Sequence, residues 1–169
     1  MQFAYHLGKN VCLVASLAAG VLLTASCGTK TDSPLLGTFR MGEKVQAGPL
    51  TYTVLEAHSR PALSETALGH PPRNRYLFVK VSITNSGNQA TLVPAFELVG
   101  NQQTYHEVTD GLQDVPDALG VLRSVQPAQT EQGSVIFDAP VGGYKLAISD
   151  GGEPGSEKYA HVDIPVQLE

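Results

Sequence analysis

The sequence predicts an all-β protein, an antiparallel β-sandwich of about eight strands. Three observations carry that expectation. From residue 41 onward apolar residues recur at alternate positions in several short segments, the period of a strand with one buried face. The 17 glycines and 11 prolines are scattered along the chain, which suits many turns. The alternating segments follow one another at sandwich-like spacing, and only Asp110–Leu119 offers a turn or two of helix.

Upstream the pattern is different. Residues 1–10 are polar and include His6 and Lys9, and Val11–Leu23 is an apolar run. The run is too short for the roughly 20 helical residues that cross about 30 Å of hydrocarbon. It has the make-up of a signal-peptide core. Thr24-Ala25-Ser26-Cys27 follows. Small residues before a cysteine resemble the lipobox of bacterial lipoproteins, which implies cleavage before Cys27 and a diacylglycerol on its thiol. Thr24 stands where leucine is usual, with Leu23 one position further back. Thr24 and Ser26 also satisfy the small-x-small rule of ordinary secretory cleavage, so free secretion stays open. Gly28, rather than Asp, after the cysteine resembles an outer-membrane destination in a host with two membranes. Gly28–Arg40 mixes Thr, Lys, Asp, Ser, Pro and Gly with little periodicity. The expected organisation is a lipoprotein signal peptide over 1–26, a lipid-anchored tether over 27–40 and a β-sandwich domain over 41–169.

The strands are then expected in order. A short one spans Gly42–Val45. Leu50–Ala57 puts Leu50, Tyr52 and Val54 on one face. Tyr76–Thr84 alternates Leu77, Val79, Val81 and Ile83 with Lys80, Ser82 and Thr84, the half-buried antiparallel signature. Asn85-Ser86-Gly87 ends it as a turn. Leu92–Val99 is a strand in which Pro94 points to an edge or bulge. Thr104–Val108 follows, then Gly133–Ala139 with Val135 and Phe137 inward. Tyr144, Leu146 and Ile148 alternate after the Pro140 and Gly142-Gly143 turn, and Ala160, Val162 and Ile164 mark the last strand.

These segments resemble a known family, the immunoglobulin-like domains of unknown function found in many bacterial lipoproteins and secreted proteins, related to a small mycobacterial immunoprotective antigen. The resemblance rests on Gly42 and Val45 before Leu50–Ala57, on Val79–Gly87, and on Leu92–Phe96 with Tyr105. It continues through Pro127, Gly133–Pro140 and Tyr144–Ile148, and covers most of residues 41–168. It implies an immunoglobulin-like sandwich and brings no catalytic residues. Ala128 departs from the glycine common after Pro127. Because alanine avoids positive φ, a type I turn is expected there.

Charge and cysteine content exclude several functions. Only Lys9 of the 11 basic residues precedes Cys27, whereas all 16 acidic residues follow it, so the exported chain is acidic. Without a Lys/Arg stripe, nucleic acid is not an expected partner. Cys12 falls in the segment to be removed, leaving Cys27 alone and no internal disulfide. A cupredoxin-type copper site needs two His, a thiolate and usually a Met. Of His58, His70, His106 and His161 none has such company, and scattered rim histidines are the expectation. Asp110, Asp114 and Asp117 lack calcium-loop spacing and read as a solvated loop. Ser64, Glu65 and His70 have no Gly-x-Ser-x-Gly elbow around them. No cofactor, metal site or enzymatic activity is expected.

The long loop 58–74 remains as the candidate binding loop, with Arg60, His70, Arg73 and Arg75. If connections alternate between the ends of the sandwich, this basic loop lies opposite an acidic end holding Asp110, Asp114, Asp117, Asp150, Glu153 and Glu157. It would then face the membrane; the alternative is an unspecialised loop whose charges only keep it soluble. The expected function is a membrane-anchored extracytoplasmic lipoprotein with a non-enzymatic binding or accessory domain. The alternative is a structural or stress-related envelope lipoprotein with no dedicated ligand. Expected partners are the membrane, through the lipid on Cys27, and an envelope protein, glycan or lipid headgroup.

Overall fold

The computed structural model describes residues 35–63, 71–100 and 102–165; the expected signal-peptide segment, Cys27 and His70 lie outside them. Eleven strands are described: β1 Leu35–Arg40, β2 Lys44–Ala47, β3 Leu50–Arg60, β4 Arg75–Asn85, β5 Thr91–Leu92, β6 Glu97–Gly100, β7 Gln103–His106, β8 Ser124–Val125, β9 Thr130–Ala139, β10 Tyr144–Ser149 and β11 Tyr159–Ile164. They form a five-stranded sheet in the order β1-β11-β10-β6-β7, a four-stranded sheet β2-β3-β4-β9, and a ribbon β5-β8. Among these strands every pairing is antiparallel except β1 with β11.

The two main sheets pack face to face through the alternating residues. Leu77, Val79, Val81, Ile83, Val135 and Phe137 from one sheet and Leu146, Ile148, Val162 and Ile164 from the other are all buried in one cluster. Leu50, Tyr52 and Val54 join them from β3, as their alternation requires. A bulge at Leu55, between Val54 and Glu56, shifts the register of β3 by one residue, so Ala57 and Ser59 become the buried positions beyond it.

The upper half of β4 is apolar on both faces. Tyr76 and Phe78 point away from the main core and are covered by Leu63, Val115 and Ile136, with Val108, Leu112 and Ala118 at the margin. Residues 108–118 therefore form a flap over the outside of the four-stranded sheet. It is tied to the edge of β9 by Val108 N to Ile136 O at 2.8 Å, Ser134 N to Asp117 O at 2.7 Å and Leu119 N to Ser134 O at 2.9 Å. This covers an edge that would otherwise offer unpaired amides. Within Asp110–Leu119 the only helical piece is a 3-10 turn, Leu112–Asp114.

Four expectations are corrected. Leu35–Arg40, read as the end of the tether, is a strand: its backbone pairs with Tyr159–Asp163, although its side chains show no buried stripe. Leu92–Val99 is not one strand. Pro94, which lacks an N–H, falls where the chain leaves the β5-β8 ribbon to join β6 in the five-stranded sheet. Ala128 has φ of 59°, and Gln129 N donates to Gln126 O at 3.1 Å, so Pro127-Ala128 is a type II turn and not type I. Asn85 enforces it from the facing strand end. Its carbonyl accepts from Ala128 N, and its amide donates to Gln129 O, both at 3.0 Å. The fourth correction concerns the charge layout.

The upper end of the sandwich holds Arg60, Arg75 and Ala139, and the lower end Leu50, Asn85 and Thr130. The acidic connection after Ser149 belongs to the lower end, where Asp150 lies against the Gly48 turn. The 110–117 stretch does not join it. A Cβ at Gly111 would lie 3.2 Å from Leu63 Cδ1, so the stretch touches the start of the 58–74 loop. The flap brings Asp110 back beside the loop expected to be basic, while Asp117 lies against Ser134 within β9. The premise of charge-polarised ends is lost. The chain also enters β1 beside Tyr159, at the lower end, and not beside Arg60 and Arg75.

Candidate functional site

Strand parity decides what the expected binding loop can do. Ser59 and Arg60 are consecutive, so they point to opposite faces of β3. The Arg60 guanidinium lies over the Phe78 ring at 5.0 Å, on the outer face. Arg75 Nε donates to Ser59 Oγ at 3.1 Å, and Ser59 is buried toward the inner side. Asp138 draws in the segment between them. Its carboxylate accepts from the amides of Arg73 at 2.7 Å and Asn74 at 2.9 Å, and from Asn74 Nδ2 at 3.3 Å. Arg60 and Arg75 thus serve local packing on different faces, and Arg73 stands exposed. The three described arginines do not converge; His70 lies outside the described residues.

Two of the concave regions elsewhere lie on the five-stranded sheet. The larger is a groove of about 780 Å³ at the upper end of the five-stranded sheet, open to solvent. Met41, Val99 and Pro165 supply apolar walls, and Gly100, Gly143 and Tyr144 close one side. Gly100 is required there: a Cβ would sit 2.5 Å from Tyr144 Cδ1 and 3.0 Å from Gly143 O. The Tyr144 ring is braced edge-on by Tyr105 at 5.7 Å, and its hydroxyl donates to Pro140 O. Arg40, Asp163 and Lys145 stand side by side along the rim, because Arg40 pairs with Asp163 and Asp163 with Lys145 across three strands. Lys145 Nζ and Asp163 Oδ1 are 3.5 Å apart. Among the described residues the Arg40 guanidinium has no ion-pair or hydrogen-bond partner.

The smaller region, about 440 Å³, lies over the outer face of the same sheet and includes Phe96, Glu97, His106, Ala147, Glu157 and Tyr159. Its polar groups are engaged with each other. His106 Nδ1 is 3.6 Å from Glu97 Oε1. The Glu157 carboxylate accepts from Ser149 Oγ and from the Tyr159 hydroxyl, and that hydrogen bond pushes the Tyr159 phenol up to about 12. His161 lies on the same face, flanking Ala147; burial and then Lys145 lower its pKa, against Asp163. Among the described residues no three His, Cys, Asp or Glu side chains group closely enough to hold a metal ion.

Alternation placed Lys145 and Asp163 outward but could not reveal the groove. The strand order that joins β1, β11, β10 and β6 is a long-range property, and β1 itself lacked the pattern that would have marked it.

The family profile of a domain of unknown function, DUF4352, matches residues 39–160, and the chain belongs to that family. No curated protein matches the sequence. Among solved structures the fold is similar to ycdA of Bacillus subtilis, described as a candidate lipoprotein, at 13% identity and a TM-score of 0.54. That match covers 71% of this chain but only 38% of ycdA. It is also similar to MPT63, a secreted protein of Mycobacterium tuberculosis, at 15% identity and a TM-score of 0.54, covering 75% of this chain and 96% of that one. The yjhA protein of Bacillus subtilis shares 15% identity at a TM-score of 0.51, over 74% and 99% of the two chains. Fold and family are thereby those the sequence led us to expect.

Proposed function

We propose that the protein is an extracytoplasmic lipoprotein whose sandwich binds a ligand and does not transform it. The observation that carries the address is the apolar run Val11–Leu23 closed by small residues at Cys27, a short distance before the first strand. The descriptions of ycdA as a candidate lipoprotein and MPT63 as secreted fit such an export route. Binding is favoured over catalysis by the chemistry of the two concave regions. The larger is walled by aliphatic groups, and in the smaller each acidic group is already held by a neighbour. From Cys27 to Leu35 the backbone can reach at most about 29 Å. A lipid on Cys27 would hold the lower end of the sandwich near the membrane and leave the groove at the far end.

Mass spectrometry of the membrane fraction tests the address. A mature chain beginning with diacylglyceryl-Cys27 is expected, and Cys27→Ala should abolish the modification. A mature chain with a free thiol, recovered from the medium, overturns it.

A further inference from the structure

We propose that the groove at the upper end of the five-stranded sheet binds a single-chain anionic amphiphile, an alkyl carboxylate of the fatty-acid type. This assigns a ligand class to the binding module above and rests on that reading.

The size suits such a ligand, since about 780 Å³ lies inside the roughly 300–1,000 Å³ range of small-molecule sites. The walls decide its body. Met41, Val99 and Pro165 come from three separate stretches of chain and present no hydrogen-bonding side-chain groups beyond a thioether. A peptide laid there would leave backbone N–H and C=O groups unsatisfied, each at a cost. An alkyl chain has none to satisfy and gains from every apolar contact.

The rim decides the head. Arg40, Asp163 and Lys145 form one cross-strand row, and the Lys145–Asp163 pair balances itself. Arg40 is the surplus cation, exposed and without a partner among the described residues. A guanidinium offers two parallel N–H donors to a carboxylate in a fixed fork. The head would be held by Arg40, with the chain running past Met41 and Pro165 toward Val99. The smaller pocket, lined by Glu97 and Glu157, repels the same head and serves as an internal comparison.

The test uses the exported protein carrying Cys27→Ser, labelled with 15N, so that no attached acyl chain competes. Laurate, dodecyltrimethylammonium and butyrate are titrated below micelle-forming concentrations and followed by backbone amide shifts. Laurate should give saturable shifts at Met41, Val99, Gly100, Lys145 and Ile164. The cationic amphiphile should bind about tenfold more weakly, the size of one charge-assisted hydrogen bond, and butyrate should not saturate. Arg40→Gln should erase most of the preference between heads, and Arg40→Lys should keep part of it. Because Arg40 is exposed, both variants should keep the wild-type spectrum elsewhere. Equal affinity for the two heads, shifts centred on the smaller pocket, or an unchanged preference in Arg40→Gln overturns the assignment. An apolar peptide binding the groove more tightly than laurate also overturns it. The lipidation measurement is independent, so failure of the ligand and failure of the anchor can be told apart.

Discussion

Arg123 and Glu107 form an ion pair inside the protein: Nη2 lies 2.9 Å from Oε1, and each side chain is only 7% exposed. Arg123 also donates to the Leu119 and Gly120 carbonyls at 3.3 and 2.6 Å, and its guanidinium lies over Phe96 at 5.1 Å. Glu107 accepts from Phe96 N at 2.6 Å. The pair therefore ties three irregular stretches together: the crossing between β5 and β6, the exit from β7, and the end of the flap.

Removing one partner strands the other charge, which typically costs about 3–5 kcal/mol. Glu107→Leu or Arg123→Met alone should lower stability by that order in urea unfolding. The double variant should recover much of the loss, because an apolar pair needs no desolvation of ions and Arg123 Nε already lacks a hydrogen-bond partner among the described residues. Additive losses in the double variant would show that the two side chains act separately.

Ala128 carries strain that glycine would relieve. Its φ of 59° is the left-handed region, which costs a residue with a Cβ about 1–2 kcal/mol. Ala128→Gly should raise the urea midpoint by an amount equivalent to about 0.5–1 kcal/mol, less than the full strain because glycine loses more chain entropy on folding. A lowered midpoint would mean that the turn is not type II in solution.

That turn also marks how far the sequence could be read. The inward faces of β3, β4, β9, β10 and β11 were legible because a two-residue period in apolar residues has one buried solution. The turn was misread because the local preference of Ala128 was weighed without Asn85, whose backbone lies 43 residues earlier and fixes the conformation from across the sheet. β1 went unseen for the related reason that an edge strand with exposed side chains has no apolar rhythm. The arginines of the 58–74 loop were legible as residues but not as a site. Whether they converge depends on the parity of Ser59 and Arg60, which a bulge at Leu55 resets.

Gly133 is a close-approach glycine in the middle of β9. A Cβ there would lie 2.6 Å from Asp117 O and 2.7 Å from Leu119 Cγ, where the flap crosses the strand. Gly133→Ala should push the flap outward, with a loss of about 1–3 kcal/mol. Hydrogen exchange should show weakened protection of the Ser134 and Leu119 amides, which bond across that crossing. Unchanged protection at both would place the flap elsewhere.

Asp150 should make the lower end acid-sensitive. Its carboxylate accepts from Lys158 N at 3.0 Å and Gly152 N at 2.9 Å, and these hydrogen bonds, the Lys158 amide first, hold its pKa below the ordinary value. A depressed carboxyl contributes stability above its unfolded pKa of about 3.9, and the contribution is lost as pH falls through the lower folded value. The stability gap between wild type and Asp150→Ala should be full at pH 6 and should close in strongly acid solution. A gap that does not shrink at all as the solution is acidified would mean that the residue acts through packing rather than charge.

The end at which the chain enters sets what the basic loop can touch. β1 starts beside Tyr159 at the lower end, whereas Arg60 and Arg75 sit at the upper end of the long β3-β4 pair. At about 3.3 Å per residue, the 11 residues of β3 separate the ends by roughly 33 Å. That is several Debye lengths at physiological salt, so the loop would feel little of the field of a membrane lying at the lower end. Arg60 and Arg75 are also occupied by Phe78 and Ser59. Changing Arg60, Arg73 and Arg75 together to Ser should therefore leave the dependence of vesicle binding on anionic lipid unchanged for the Cys27-lipidated protein at physiological salt. A clear drop in that dependence would show that the upper end can turn to the membrane despite where the chain enters.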